Sequence, residues 1–184
     1  MSVIAKQAVP TEYKGIVYRS KCEAMFARFL ELDIYERQFF CSSEGPLFPG
    51  NTFNYQSGGF VYEPKGLDED RWAPDFLRWC IHLYPNADVP LLIYDIIEYK
   101  PSKPTQTYIK RFAKRCLLIR DRMLRNGTHD FQVNLLLYWG SVFNENTGVV
   151  SVNGDTGDFT IQEDYDWLAD YEEDIKETRF DLCQ

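Results

Sequence analysis

Residues 91–101 read Leu-Leu-Ile-Tyr-Asp-Ile-Ile-Glu-Tyr-Lys-Pro, and this stretch decides the fold. It is a nearly continuous apolar run rich in branched residues, the mark of a central strand buried on both faces. Pro101 and Pro104 end it, because proline lacks the N–H a ladder needs. Downstream, Thr105 to Arg125 is expected to be a long helix. Ile109, Phe112, Ala113, Cys116, Leu117 and Ile119 form its apolar side, most of its cations lie away from that side, and Asn126-Gly127 closes it. Phe131 to Trp139 (FQVNLLLYW) is a second interior strand. The strongest strand therefore precedes a basic helix, and the element order is that of a single α/β or α+β domain, of which α/β is the expectation taken forward.

The N-terminal half is read from weaker signals. Ser20 to Asp33 has the spacing of a helix in Cys22, Met25, Phe26, Phe29 and Leu30, and Ser20-x-x-Glu23 matches a capping box. Ile34 to Cys41 (IYERQFFC) reads as a strand and Ser42 to Asn51 as a loop. Phe53 to Gln56 and Phe60 to Glu63 flank Ser57-Gly58-Gly59, which predicts a hairpin. Lys65 to Arg71 is a charged loop. Pro74 to Trp79 is extended, since Pro74 pushes Ala73 out of the helical region. Near the C-terminus, Val149 to Val152 and Phe159 to Ile161 form a second hairpin around a turn opening at Asn153-Gly154. Asp164 to Lys176 reads as a short acidic helix.

Composition narrows the function classes. With 184 residues, of which 45% are hydrophobic, the chain has enough for one core and little room for a second. No apolar run approaches the roughly 18 residues of a membrane span. The N-terminus lacks the apolar core of a secretory signal. A soluble protein of the cytoplasm, in a bacterium or a phage-infected host cell, is expected. The five cysteines are odd in number and form no CxxC pair, so neither a zinc site nor a disulfide framework is indicated. The net charge of −8 argues at first against nucleic acid, but its distribution changes that. Residues 155–184 hold 11 Asp and Glu against Lys176 and Arg179, whereas residues 1–154 carry 18 Lys and Arg against 17 acids. The body is thus neutral, with cations concentrated at Lys110, Arg111, Lys114, Arg115, Arg120, Arg122 and Arg125.

Three features carry chemistry. Glu98 and Lys100 alternate along the central strand and so share a face, where the apolar run gives way to Pro101. Strand ends in α/β sheets are where sites are built. Pro74-Asp75 opens an extended run, and Glu23 sits on the margin of the first helix's buried face. Each also has a plain structural reading. Glu98 and Lys100 could form an ordinary ion pair, Asp75 a turn opener, and Glu23 the third position of a capping box.

Together these residues resemble the PD-(D/E)XK nuclease superfamily, closest to a phage and bacterial branch. The resemblance lies in Tyr18-Arg19-Ser20-Lys21-Cys22-Glu23-Ala24, Tyr62-Glu63-Pro64, Trp72-Ala73-Pro74-Asp75-Phe76 and Ile97-Glu98-Tyr99-Lys100-Pro101. It runs from about Gly15 to Trp139, and is also similar to the catalytic domain of TnsA-type transposition endonucleases. The stretch between Asp75 and Glu98, with Pro85 and Pro90, is long, so a loop or short helix is expected there. The resemblance implies a restriction-endonuclease-like core, a central mixed sheet flanked by helices. Residues 1–154 would form the nuclease-like domain and residues 155–184 an appended acidic segment packed on or near it.

The implied activity is Mg²⁺-dependent hydrolysis of DNA phosphodiesters by an endonuclease of phage or mobile-element DNA processing, with Mn²⁺ able to substitute. Hydrolysis of that bond needs a metal that neutralises phosphate, activates water and stabilises the leaving oxygen, and hard Mg²⁺ prefers carboxylate oxygen. The resemblance implies Asp75 and Glu98 as metal ligands, aided by the carbonyl of Tyr99 and supported by Glu23. Lys100 would orient or deprotonate water, which makes Glu23, Asp75, Glu98 and Lys100 the catalytic set. Arg19, Lys103, Lys110, Arg111 and Lys114 are candidate phosphate contacts, with the solvated face of an amphipathic helix as the alternative. A homodimer and a protein partner for the acidic tail are further expectations. The rival reading is a catalytically silent nuclease fold that binds a protein partner through its tail or mimics DNA.

Overall fold

A computed structural model describes residues 8–43, 58–67, 69, 72–82, 91–126, 131–141, 144–163 and 171–182. In chain order its elements are β1 (Thr11–Tyr13), β2 (Ile16–Tyr18), α1 (Lys21–Ser43), β3 (Gly58–Tyr62), β4 (Phe76–His82), β5 (Leu91–Lys100), α2 (Gln106–Asn126), β6 (Phe131–Ser141), β7 (Asn144–Val152), β8 (Phe159–Glu163), α3 (Glu172–Glu177) and β9 (Asp181–Leu182). Strands β3 to β8 lie in sequence order in one six-stranded mixed sheet. Only β5 and β6 run parallel, and α2 makes the crossover between them. A small sheet of order β2-β1-β9 is separate.

Alternation along the strands divides the apolar residues between two cores. Phe76, Ile97, Tyr99, Tyr138 and Val149 are buried with α1, through Met25, Phe26, Phe29 and Leu30. Ile96, Leu135, Leu137, Trp139, Val150 and Val152 are buried with α2, through Ile109, Phe112, Cys116 and Ile119. The sheet is thus covered by a helix on each face, and β5 is buried on both, as its nearly continuous apolar run requires. Thr105 starts α2, its hydroxyl accepting the Tyr108 N–H at 3.2 Å. The acidic C-terminal stretch gives β8 to the main sheet and β9 to the small one, while Tyr171 and Ile175 are buried in the α1-side core.

Two local expectations are corrected. The predicted strand at Ile34–Cys41, and the first two residues of the following loop, belong to α1, which continues to Ser43. No glycine or proline falls between Lys21 and Ser43, and the first breakers are Gly45 and Pro46, so nothing in the backbone stops the helix at Asp33. Gly58-Gly59 is not a turn but the start of β3, paired with Cys80 and Trp79 of β4. A Cβ on Gly59 would stand 2.5 Å from a ring carbon of Trp79, so the glycine makes room for the indole. The other half of that predicted hairpin lies outside the described residues, as do residues 164–170 of the predicted acidic helix, of which Glu172–Glu177 is helical.

Candidate active site

The antiparallel register of β4 and β5 pairs Phe76 with Ile97, and one step further sets Asp75 across from Glu98. The Asp75 carbonyl is held by the Glu63 N–H at 2.8 Å, which fixes the backbone at the mouth of β4. Both carboxyl groups are only 2% exposed. Asp75 Oδ2 accepts the Tyr99 N–H at 2.9 Å, and Tyr99 is itself anchored by its hydroxyl, which donates to the Gly140 carbonyl. Lys100, two residues past Glu98 and on its face, reaches back. Its Nζ lies 2.5 Å from Glu98 Oε1 and 3.7 Å from Asp75 Oδ2. Tyr108, from the first turn of α2, donates its hydroxyl to the same Oε1, and the Lys100 ammonium lies 5.4 Å from the centroid of its ring. Glu98 Oε2 is buried and has no hydrogen-bond partner among the described residues.

The electrostatics follow from that crowding. Burial raises the Glu98 pKa, and the neighbouring Asp75 raises it further against the pull of Lys100 and Tyr108. Burial works against the Lys100 ammonium, but Asp75 and Glu98 outweigh it and the group stays charged far above neutrality. Burial and the Glu98 carboxyl together push the Tyr108 phenol upward, so it remains a hydrogen-bond donor.

Glu23 joins the group from the start of α1. Its N–H donates to the Ser20 hydroxyl at 3.2 Å, so Ser20 caps the helix. The return half of the box is shifted by one residue, because the Glu23 carboxylate accepts the N–H of Arg19, at 3.1 Å. Glu23 Oε2 also accepts the Tyr62 hydroxyl at 2.7 Å. Its link to Asp75 runs through Arg19. That guanidinium contacts Asp75 Oδ1, Glu23 Oε1 at 3.3 Å and Glu63 Oε1 at 3.4 Å. Burial disfavours the Arg19 charge, but Asp75 and Glu23 more than offset it and its pKa is raised.

The remaining sequence-derived cations lie apart from this cluster. Lys103 pairs with Glu163 of β8 at 2.7 Å. Lys110, Arg111 and Lys114 project from the exposed side of α2 and form no ion pair among the described residues. The structure thus brings Asp75, Glu98 and Lys100 together directly, adds Glu23 through Arg19, and leaves three cations exposed on the helix that follows. Tyr62, Glu63 and the carboxylate-bridging role of Arg19 were not singled out as functional from sequence. Tyr62 and Glu63 lie in a short Tyr-Glu-Pro segment, and Glu63 takes a positive φ of 46°, which is uncommon outside glycine and asparagine.

Among the described residues, no three His, Cys, Asp or Glu side chains gather closely enough to enclose a metal by themselves. The pair Asp75 and Glu98 nevertheless fits a hard divalent cation by donor chemistry. Both groups are carboxylates, and one oxygen of Glu98 is buried with nothing to bond. Such a cation would be held by two side chains and would keep part of its water shell. No helix among the described residues is long and apolar enough to cross a membrane. Compared with family models, with curated proteins and with solved structures, the chain finds no match in any of the three.

Proposed function

We propose that this chain is a metal-dependent DNA endonuclease with a restriction-endonuclease-like core of the PD-(D/E)XK type. The observation that carries the reading is the convergence of Asp75, Glu98 and Lys100 at the C-terminal end of β5, with Glu98 Oε2 buried and unsatisfied. Two buried carboxylates and a lysine are what phosphodiester hydrolysis asks of a protein that relies on a hard cation. When bound, Mg²⁺ supplies charge neutralisation at the phosphate and a more acidic water.

Asp75 and Glu98 hold the cation, with Asp75 fixed in place by the Tyr99 N–H. Lys100, kept charged by both carboxylates, orients the attacking water and offsets the negative charge that develops on the phosphoryl oxygens. Water oxygen bonds to phosphorus as one of its protons passes to solvent, the bridging P–O bond breaks, and the departing oxygen takes a proton from solvent and leaves as a hydroxyl. Tyr108 keeps Glu98 Oε1 engaged, which leaves Oε2 as the free ligand atom. Glu23 acts by positioning, through Arg19 and Tyr62. Lys110, Arg111 and Lys114 supply phosphate contacts beyond the scissile bond.

The direct test is nicking of supercoiled plasmid, and cleavage of linear, single-stranded and branched DNA, with and without Mg²⁺. Metal-dependent cleavage that is lost in Asp75→Asn supports the reading. Absence of cleavage and of DNA binding under all of these conditions would replace it with the catalytically silent alternative, a fold that binds a protein partner or mimics DNA.

A further inference from the structure

Among the described residues, Arg19 is the one side chain that joins three of the site's carboxylates. It contacts Asp75, Glu23 and Glu63 together, yet its own side chain is 55% exposed. The cluster places four carboxylates, Glu23, Glu63, Asp75 and Glu98, against two cations, Arg19 and Lys100. With all six charged it lacks two positive charges, the charge of one divalent cation. The unsatisfied Glu98 Oε2 points independently to a missing electropositive partner.

The two oxygens of Asp75 are differently committed. Oδ2 takes the Tyr99 N–H and faces Lys100, whereas Oδ1 is occupied by Arg19. A dication that binds Asp75 through Oδ1 meets the guanidinium at that same oxygen, and two like charges a few ångströms apart repel. We propose that Arg19 is an exchangeable counter-cation. It covers Asp75 Oδ1 in the metal-free chain, leaves that oxygen when a divalent cation binds, and is thereby released to a DNA phosphate. The guanidinium suits both partners, because its planar fork matches carboxylate and phosphate alike, and its half-exposed position lets it turn outward. Metal and DNA binding are then linked, and each tightens the other by the same factor.

This inference rests on the nuclease reading, and its test separates the two. Mn²⁺ affinity is measured on the full-length chain by electron paramagnetic resonance of the free ion, for the parent, Arg19→Gln and Asp75→Asn. Arg19→Gln is expected to bind Mn²⁺ about tenfold more tightly than the parent. Ca²⁺ is expected to tighten the parent's binding to a short duplex and to do so far less in Arg19→Gln. If Asp75→Asn binds Mn²⁺ as the parent does, the metal site itself is wrong and this inference falls with it. If Asp75→Asn loses Mn²⁺ while Arg19→Gln binds as the parent does, or more weakly, the Arg19 exchange alone is wrong. Should Arg19→Gln fail to fold, the Arg19 Nε–H resonance of the parent decides. A shift that tracks Mg²⁺ occupancy supports the exchange, and a resonance unchanged at saturation overturns it.

Discussion

Asp75 and Glu98 stand across from each other at the end of the β4–β5 ladder, bridged by the Lys100 ammonium. The bridging lysine comes from the same strand as Glu98, so the distance between the carboxylates and the reach of the amine are set by one backbone register. A group placed this way acts on charge that develops between the carboxylates. Lys100→Ala is expected to lower plasmid nicking at least about a hundredfold, the usual loss for a preorganised electrostatic group. Its circular dichroism spectrum should match the parent's, because Lys100 is partly exposed rather than a core residue. Near-parental nicking by this variant would remove Lys100 from the site.

Glu23 distinguishes a cap from a functional carboxylate. The cap bond uses the Glu23 N–H and the Ser20 hydroxyl, so it survives any change of the side chain. Glu23→Gln should therefore keep the fold and lose most cleavage, because a neutral amide no longer holds Arg19 beside the site once it has left Asp75 for a DNA phosphate. Tyr62→Phe removes one hydrogen bond to Glu23 and is expected to cost about 1 kcal/mol in urea denaturation, with a smaller loss of rate. Parental cleavage by Glu23→Gln would return the residue to a purely structural role.

The choice of ion follows from coordination. Mg²⁺ and Mn²⁺ should both support cleavage. Ca²⁺, with a larger and looser shell, should support DNA binding with little turnover. The check is nicking across the three ions after chelation, and full activity in excess chelator would exclude a metal mechanism.

The elements that were legible in the sequence are those whose signal is long and closed at both ends. β5 and α2 announce themselves by a nearly continuous apolar run, a 3.6-residue period and the prolines between them. α1 was legible only to Asp33. Its second half, IYERQFFC, carries the branched and aromatic residues of a strand, and the absence of a breaker was the stronger clue. Gly58-Gly59 read as a turn because glycine is permissive. The need for space under Trp79 is a cross-strand fact, invisible without the pairing to β4. In the site, no residue type was decisive alone, and it was the joint pattern and its family resemblance that singled out Glu23, Asp75, Glu98 and Lys100. The Arg19–Asp75 contact joins residues 56 apart, and the Tyr62–Glu23 contact joins residues 39 apart, with no local pattern that could reveal either.

A second charged group lies deeper in the same sheet. Arg78, Asp95 and Asn134 occupy one row across β4, β5 and β6. Arg78 Nε donates to Asp95 Oδ2 at 2.7 Å, Asn134 donates to Asp95 Oδ1 at 2.8 Å, and Arg78 also contacts Asp33 of α1. Arg78 and Asp95 are each only 3% exposed. Arg78→Met leaves Asp95 as a buried carboxylate without its counter-charge, and should cost about 3–5 kcal/mol. The double variant Arg78→Met, Asp95→Leu should recover part of that loss, because no charge is then stranded at position 95. Urea denaturation of both variants checks this. Equal stability of the two would mean that Asp95 does not need Arg78.

The acidic C-terminal stretch makes two visible contacts with cations of the body. Asp155 pairs with Arg120 of α2 at 2.8 Å, and Glu163 pairs with Lys103 at 2.7 Å. Lys103, Glu163 and Asp155 are exposed while Arg120 is half-buried, and with at least one solvated partner each pair adds little to stability. Their effect on an incoming polyanion is larger, since a cation already paired releases fewer counterions when it meets phosphate. Truncation after Asn153 is a poor probe, because it removes β8 and β9 and takes Tyr171 and Ile175 out of the core. Point neutralisation, Asp155→Asn with Glu163→Gln, keeps the strands, frees Lys103 and removes one carboxylate from Arg120, which still holds the Gly154 carbonyl at 2.6 Å and faces Asp121 at 3.5 Å. The double variant is expected to bind a short duplex about threefold more tightly in low salt, with the difference shrinking as the Debye length falls from about 10 Å at 0.1 M toward 3 Å at 1 M. Its stability should change by less than about 1 kcal/mol. Fluorescence anisotropy over a salt series, alongside thermal denaturation, provides the measurement. Equal affinity for parent and variant at every salt concentration would mean that these carboxylates stand clear of the DNA-binding face.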